Sequence, residues 1–120
     1  MTLHPSQNPR CALITGASGF TGRYLAQELA DHGWEVWGMG HAPQPGLANY
    51  AVADLENYEQ LQAVVLRVAP RVVFHLAAIA FVGHGSPADF YRINVGGSRN
   101  LLQALASLPT PPQSVLIASS

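Results

Sequence analysis

Three glycines stand three residues apart in the stretch LITGASGFTG, which runs from Leu13 to Gly22. A short apolar run precedes these glycines, and a segment of good helix formers follows them. Glycine permits sharp turns, so the spacing can mean no more than a bend in the chain. It can also serve chemistry. The N-terminus of a helix presents unpaired N–H groups and a positive dipole end, and glycines there would let the backbone approach an anion such as a pyrophosphate.

The elements that would position these glycines follow from the pattern of apolar residues. Leu61, Val64, Val65 and Val68 fall on one helical face, and Pro70 closes that helix. Short apolar runs bounded by turn residues indicate strands. Strands are predicted at residues 11–14, 35–39, 50–52, 72–76 and 115–118, and helices at 23–32, 58–68 and 87–108. Because strands alternate with helices, we predict an α/β fold, a Rossmann-type doubly wound parallel sheet truncated after its fifth strand. Residues 1–9 would form a tail before this domain.

In that arrangement the glycine triplet follows the first strand and opens the first helix, which is the context that a dinucleotide-binding turn requires. Gly16 would permit the tight turn, and Gly19 would let the backbone approach a phosphate. Gly22 would let the helix pack closely on the strand. The sequence therefore predicts that a dinucleotide cofactor binds at this turn.

The bulk composition excludes several classes of function. The chain has 120 residues, 48% hydrophobic and 11% charged, which fits an ordered domain whose sheet is covered on both faces. The net charge is −1 and no apolar run approaches the ~20 residues of a membrane span, so we expect neither nucleic-acid nor membrane binding. The single Cys11 cannot form an internal disulfide, which fits a cytoplasmic location. The five histidines lack ligand spacing, so no metal site is predicted.

Five motifs occur in an order that resembles one family, the extended short-chain dehydrogenase/reductases that act on nucleotide sugars. The spacing G-x-x-G-x-x-G is typical of that family and differs from the G-x-G-x-x-G of the older dehydrogenases. The resemblance covers almost the whole chain. The five motifs are TGASGFTG at 15–22, ADL at 53–55, FHLAA at 74–78, RINVGGS at 92–98 and ASS at 118–120.

The resemblance implies a cofactor site on the loops that follow the strands. Asp54 would hydrogen-bond the adenine amino group, although it could instead be the N-cap of the helix at 58–68. His75 would be a core histidine beside the cofactor rather than an acid or base. Asn94 is unfavourable inside a helix, which suggests a polar task near the active site. The expected cofactor-binding residues are Gly16, Ser18, Gly19, Phe20, Thr21, Gly22, Arg23, His41, Asp54, Leu55, Leu76, Ala77, Ala78 and Asn94.

The choice between NAD and NADP is expected to depend on the end of the second strand, residues 37–41. A carboxylate there would bond the ribose 2′-hydroxyl of NAD and would repel a 2′-phosphate. Residues 37–41, WGMGH, contain no acid. His41 and Arg23 could hold the 2′-phosphate, or they could be ordinary surface residues. Our hypothesis is NADP, with NAD possible.

The family resemblance also implies a reaction class. The combination of residues 36–38, the HLAA segment and residues 81–82 most resembles reductases and dehydratases of GDP-linked 4-keto-6-deoxy-mannose. We favour a reductase that acts on a nucleotide-sugar substrate, as a homodimer. A 4,6-dehydratase or a 4-epimerase is the alternative within the family. A non-catalytic NADP-binding sensor is the alternative from another class.

The acid–base pair of this family is a Tyr and a Lys in the pattern Y-x-x-x-K. None of the four tyrosines of the chain is followed by Lys four positions on. Ser119 or Ser120 stands where the family's substrate-orienting Ser or Thr would lie. We therefore expect the chain to be the N-terminal, cofactor-binding part of a longer enzyme and to be inactive alone. The fifth strand would then leave an apolar edge at 115–117.

Overall fold

The computed structural model describes residues 9–17, 19–41, 49–76 and 87–118, and the backbone alone for residues 87–94. Strands and helices alternate through these residues. In chain order the elements are β1 (Cys11–Thr15), α1 (Phe20–Asp31), β2 (Glu35–Gly40), β3 (Tyr50–Val52), α2 (Tyr58–Val68), β4 (Val72–His75), α3 (Pro87–Ala106) and β5 (Ser114–Ile117). The strands form one sheet in the order β3-β2-β1-β4-β5, and every neighbouring pair is parallel. The predicted α/β fold is confirmed.

Two cores cover the two faces of this sheet, because successive residues of a strand point to opposite sides. In β1, Cys11 and Leu13 belong to the core formed with α2 and α3, whereas Ile14 belongs to the core formed with α1. All four residues of the predicted α2 stripe are buried in the first core. The sheet is therefore doubly wound, with α1 on one face and α2 and α3 on the other.

The strand order places a reversal between β1 and β4. From β1 the chain adds β2 and then β3 on one side, and it next crosses to the other side of β1 to form β4 and β5. The connections therefore leave β1 and β4 in opposite directions, which opens a crevice at their carboxyl ends. Parallel sheets of this kind bind ligands in such a crevice. The residues after the other strands meet at the same edge of the sheet.

Two helix boundaries differ from the predicted ones for identifiable reasons. The first helix begins at Phe20 rather than after Gly22, because Gly19 is extended and its carbonyl accepts the first helical hydrogen bond, from Arg23 at 2.9 Å. The third helix ends at Ala106, two residues early. Its last turn tightens, with the N–H of Leu108 donating to the Leu105 carbonyl three residues back at 3.2 Å.

The N-cap of α2 also differs from the alternative considered for Asp54. The Asn57 side chain accepts the N–H of Gln60 at 3.1 Å and caps the helix. At the other end Ala69 is left-handed, with a φ of 48°, and Pro70 follows. The interpretation of Asp54 as the cap is therefore wrong, because three residues separate it from the first helical turn.

Candidate functional site

The turn after β1 holds its first glycine in a backbone conformation that favours glycine. Gly16 has a φ of +75°, a left-handed conformation that L side chains rarely adopt. Its N–H donates to the Met39 carbonyl of β2 at 3.3 Å, and its own carbonyl accepts the N–H of Gly19 at 3.2 Å. Gly16 thus turns the chain sharply and keeps the turn attached to the sheet.

The third glycine lets α1 pack against that turn. Gly22 is the buried residue of α1. A Cβ added at Gly22 would overlap the Gly16 carbonyl oxygen and would lie 2.7 Å from the Ala17 Cα. Both contacts are with backbone atoms, which cannot rotate out of the way as a side chain could. Close approach of the helix to the turn therefore requires glycine at this position.

The second glycine has no such explanation within the described residues. Gly19 is extended, with φ −75° and ψ 170°, a conformation open to any residue. A Cβ added at Gly19 would meet one atom, the Gly16 carbonyl oxygen, at an ordinary distance of 3.6 Å. Neither backbone conformation nor packing there demands glycine. What the missing side chain does is leave the N-terminus of α1 uncovered.

That uncovered helix end is suited to an anion. The N–H groups of Phe20, Thr21 and Gly22 precede the first helical hydrogen bond and have no acceptor within the helix. In α1, which is described in full, Gly19 provides no side-chain cap and the first turn holds no acidic residue. The Phe20 side chain is 88% exposed and leaves the turn accessible. Three donors without an acceptor in the helix, and its positive dipole end, therefore lie at the carboxyl end of β1.

The segment after β3 holds Asp54 in a defined position. The Asp54 Oδ1 accepts the N–H of Glu56 at 2.9 Å, and the Asp54 N–H donates to Gln60 Oε1 at 3.0 Å. The next residue, Leu55, is half-buried against the core on the α2–α3 face. Its carbonyl accepts a hydrogen bond from Asn100 Nδ2 of α3 at 2.9 Å. The carboxylate is exposed at the carboxyl edge of the sheet, as an adenine contact would require.

The ends of β1 and β4 are joined by a buried polar chain. His75 and Thr15 are each 1% exposed, and His75 Nδ1 lies 2.6 Å from Thr15 Oγ1. The other ring nitrogen, Nε2, lies 2.9 Å from Ser98 Oγ of α3. Burial lowers the pKa of the His75 imidazole, which favours the neutral ring. The expectation of a hydrogen-bonded core histidine is confirmed.

The end of β2 is built from small residues around Tyr50. A Cβ at Gly38 would lie 2.9 Å from the Tyr50 Cδ1, and a Cβ at Gly40 would overlap the Tyr50 hydroxyl. The following His41 is exposed, as is Arg23 on α1. Arg23, Ala17 and Gly38 help to line a groove of about 470 Å³ between α1 and β2, next to the glycine turn. Of the two side chains proposed to hold a 2′-phosphate, Arg23 therefore lines this groove.

Several predicted site residues lie outside the described part of the chain. These are Ser18, Ala77, Ala78, Ser119, Ser120 and the side chain of Asn94. Their assignments stay predictions. The structure brings the others together at the carboxyl edge of the sheet: the three glycines after β1, His41 after β2, Asp54 and Leu55 after β3, and Leu76 after β4, where it is buried.

The roles of Thr15, Ser98 and Asn100 were not predicted from the sequence. Ser98 and Asn100 could have been noticed in the sequence, because Ser and Asn are both unfavourable inside a helix.

No helix among the described residues is long and apolar enough to cross a bilayer. Within the same ranges no three His, Cys, Asp or Glu side chains form a group that could hold a metal ion.

Comparison with known proteins gives consistent matches. The model of the NAD dependent epimerase/dehydratase family matches residues 12–120. The GDP-6-deoxy-D-talose 4-dehydrogenase of Aggregatibacter actinomycetemcomitans is 33% identical over 111 residues, which are 90% of this chain and 34% of that protein. Methionine adenosyltransferase 2 subunit beta of Xenopus laevis is 29% identical over 101 residues, 82% of this chain and 30% of that protein.

A solved structure agrees with these sequence matches. The UDP-glucose 4-epimerase from Brucella ovis in complex with NAD superposes with a TM-score of 0.77 at 30% identity, over 90% of this chain and 35% of that one. The chain therefore spans about a third of the length of the relatives that it matches.

Proposed function

Because the chain belongs to the NAD-dependent epimerase/dehydratase family, we propose that its glycine turn binds the pyrophosphate of a nicotinamide dinucleotide. The observation that carries this proposal is Gly19, whose missing side chain is explained neither by its conformation nor by packing against the part of the chain that the structure describes. A ligand that approaches the N–H groups of α1 closely would explain it.

The other segments would hold the remaining parts of the cofactor. Asp54 would accept a hydrogen bond from adenine, and Leu55 would lie beside the same ring. Leu76, with Ala77 and Ala78, would follow the nicotinamide side. When bound, the nicotinamide ring supplies hydride transfer. The residues of this chain bind and orient the dinucleotide at the crevice between β1 and β4.

Titration of the protein with NAD⁺ and NADP⁺ by isothermal calorimetry tests this site, with Gly19→Ala as the variant. We expect the wild type to bind at least one dinucleotide and Gly19→Ala to bind at least about tenfold more weakly, since the added methyl group blocks the helix N-terminus. The variant should keep its fold, because its Cβ makes one ordinary contact. Unchanged affinity in a folded Gly19→Ala would contradict the proposal.

We propose NADP as the preferred dinucleotide. The end of β2 carries no carboxylate, and the exposed Arg23 stands beside the groove between α1 and β2. A guanidinium that pairs with the 2′-phosphate would raise affinity for NADP⁺ alone. Arg23→Ala should therefore weaken NADP⁺ binding about tenfold and leave NAD⁺ binding unchanged, with His41→Ala tested in the same way. Tighter binding of NAD⁺ than of NADP⁺ by the wild type would overturn this preference.

For the substrate we propose a nucleotide sugar, with reduction of a C4 ketone on a GDP-linked 6-deoxy sugar. Support comes from the relative whose name joins a GDP-linked 6-deoxyhexose to dehydrogenation at carbon 4. No tyrosine of these 120 residues is followed by Lys four positions on, so the Tyr–Lys pair would come from outside them. Ser119 or Ser120 would orient the substrate oxygen. Oxidation of NADPH in the presence of GDP-4-keto-6-deoxy-mannose, by a longer form of the protein that includes the Tyr–Lys pair, tests the reductase against the epimerase and dehydratase alternatives.

A second candidate is a non-catalytic NADP-binding sensor or regulatory module, which fits a chain in which no Tyr is followed by Lys four positions on. A relative of 29% identity is named as a subunit of methionine adenosyltransferase 2. Such a module would bind a dinucleotide without transferring hydride. The test uses a longer form of the protein, of the length of its relatives, with saturating cofactor and a panel of nucleotide sugars. If that form binds the dinucleotide tightly by calorimetry but gives no turnover, the module is the better account.

The proposed homodimer would use the outer face of α3. Val95 and Leu102 lie seven residues apart on that helix and are 47% and 41% exposed. Burying two such side chains against a second copy would favour association. Light scattering coupled to gel filtration tests this, and Leu102→Glu should shift a wild-type dimer toward the monomer. A wild type that is monomeric at high concentration would overturn it.

A further inference from the structure

One turn of α3 contacts the segment that follows β3. The Asn100 side chain donates from Nδ2 to the Leu55 carbonyl at 2.9 Å. Gly97, three residues earlier and therefore on the same helical face, faces the Leu55 side chain. A Cβ at Gly97 would lie 3.0 Å from the Leu55 Cβ, tighter than most side-chain contacts. The helix is thus brought close to Leu55 by a glycine and fastened there by an amide.

The same turn also contacts the ends of β1 and β4. Ser98 Oγ lies 2.9 Å from His75 Nε2, and His75 Nδ1 lies 2.6 Å from Thr15 Oγ1. Thr15 and His75 are register partners in adjacent strands, so their side chains stand side by side on the α3 face. Gly16 follows Thr15 directly and Leu76 follows His75 directly. The hydroxyl of Ser98 is therefore connected through one ring to both strands that border the crevice.

We propose that the turn Gly97–Asn100 of α3 is a positioning element that sets the distance between the adenine-side segment at Asp54–Leu55 and the strand ends at Thr15 and His75. This inference rests on the proposed dinucleotide site. A dinucleotide spans the crevice, so its two halves bind together only when the two borders are correctly spaced. Ser98 and Asn100 touch no ligand in this scheme, and they act through Leu55, His75 and Thr15.

The helix is suited to this task because its own structure is rigid over a turn. Ser98 and Asn100 are two residues apart and therefore project to different sides of α3. One reaches the strand ends and the other reaches the segment after β3. A network that is satisfied at every step fixes one geometry, since breaking any member leaves a buried polar group unpaired. Without Ser98, the Nε2 atom of His75, a residue that is 1% exposed, would lose this partner.

The test compares pairs of substitutions, first in the protein without ligand and then in ligand titrations. Ser98→Val removes the hydroxyl, and Ser98→Thr restores it with nearly the same shape as Val. Asn100→Leu removes the amide, and Gln103→Leu is the control because Gln103 is exposed on the same helix. Amide hydrogen exchange is measured at residues 54–56 and at residues 15–16, and affinities for AMP and for the better-bound dinucleotide follow by calorimetry.

We expect Asn100→Leu to raise exchange at 54–56 and to weaken AMP and the dinucleotide alike, by about fivefold to tenfold. Ser98→Val should raise exchange at 15–16 and weaken the dinucleotide while AMP binding stays unchanged. Ser98→Thr should behave as the wild type. Equal exchange at both segments in all variants would overturn the proposal. The proposal would also be overturned if the loss of affinity in each variant simply followed its lowered Tm.

Failure of the proposed dinucleotide site gives a different result. In that case the wild type binds neither dinucleotide, while the exchange measurements on the free protein still report whether α3 fastens the two segments. If Asn100→Leu raised exchange only at 54–56 and Ser98→Val only at 15–16, but no dinucleotide bound, α3 would hold the two segments in place. Its proposed purpose in dinucleotide recognition would be overturned.

Discussion

At the scale of single residues, the three glycines of one motif are glycine for three different physical reasons. Gly16 is required by a positive φ, and Gly22 is required by contact with backbone atoms of the turn. Among the described residues Gly19 is required by neither, and its proposed reason is the ligand that would approach the start of α1. Substitution by the same residue, alanine, should therefore give three distinct results.

For stability we expect Gly22→Ala to be the most damaging of these changes. Its methyl group would overlap backbone, and overpacking of this kind costs about 1–3 kcal/mol or more. Gly16→Ala should cost about 1–2 kcal/mol because of its left-handed backbone. Gly19→Ala should cost the least, about 0.5–1 kcal/mol, because alanine is a poorer N-cap than glycine but would meet no close contact there. Urea unfolding curves check this order, and a Gly19→Ala less stable than Gly22→Ala would contradict it.

His75 gives the molecule a pH dependence. Burial lowers the pKa of its imidazole below the ordinary value of 6.5. The unfolded chain then binds the proton more readily, so the free energy of unfolding should fall as the pH drops below about 6.5 and level off below the lowered pKa. His75→Gln should show a flatter pH profile of Tm between about pH 7.5 and 5.

At the scale of elements, the helices depend on their ends as much as on their apolar faces. The N-terminus of α1 is uncapped and faces the crevice, whereas α2 is capped by its own Asn57. A helix whose first donors are uncapped can offer them to a ligand, as we propose for α1. The donors of a capped helix such as α2 are already partly used.

Removal of the α2 cap tests this distinction. We expect Asn57→Ala to lower the free energy of unfolding by about 1 kcal/mol, because an N-cap hydrogen bond to Gln60 is lost. Asp54→Ala, outside the helix, should cost less stability and should weaken adenine binding instead. Urea unfolding and AMP titration of both variants separate the two roles. A larger stability loss in Asp54→Ala would speak against this assignment.

At the scale of the whole molecule, the sheet ends in an unprotected strand on one side. In β5, Leu116 is 55% exposed and Ile117 is 43% exposed, and β5 pairs with β4 alone among the described strands. Exposed apolar edges of this kind tend to pair with further strands. We propose that another strand covers this edge in the working protein.

A charge on that edge should change its behaviour in solution. We expect Leu116→Lys to reduce self-association of the 120-residue chain, because a charged side chain discourages strand pairing at an edge. Leu66→Lys on the outer side of α2, where Leu66 is 41% exposed, is the matched control and should leave association unchanged. Dynamic light scattering over a range of concentrations measures the effect. Equal self-association of both variants would show that the β5 edge does not mediate it.

Most of the fold and part of the candidate site could be predicted from local sequence patterns. The α2 stripe, the glycine spacing and the apolar strand runs each depend on neighbours in sequence, so the elements and their order were predicted within a few residues. The contacts of His75 could not be predicted in this way. Thr15 is its neighbour only through the parallel register of β1 and β4, and Ser98 only through the packing of α3. Asp54 and Asn57 are both good N-caps by type, and backbone geometry alone decides between them.

The alternation of β1 between two cores bears on how this segment can vary. Cys11 and Leu13 face α2 and α3, while Ile14 faces α1. Inserting or deleting one residue in β1 would exchange the two sets of side chains between faces and would also displace Gly16 from its left-handed turn. Substitutions that preserve volume can accumulate in this strand, but its length is fixed from both ends, by two hydrophobic layers and by the turn that follows.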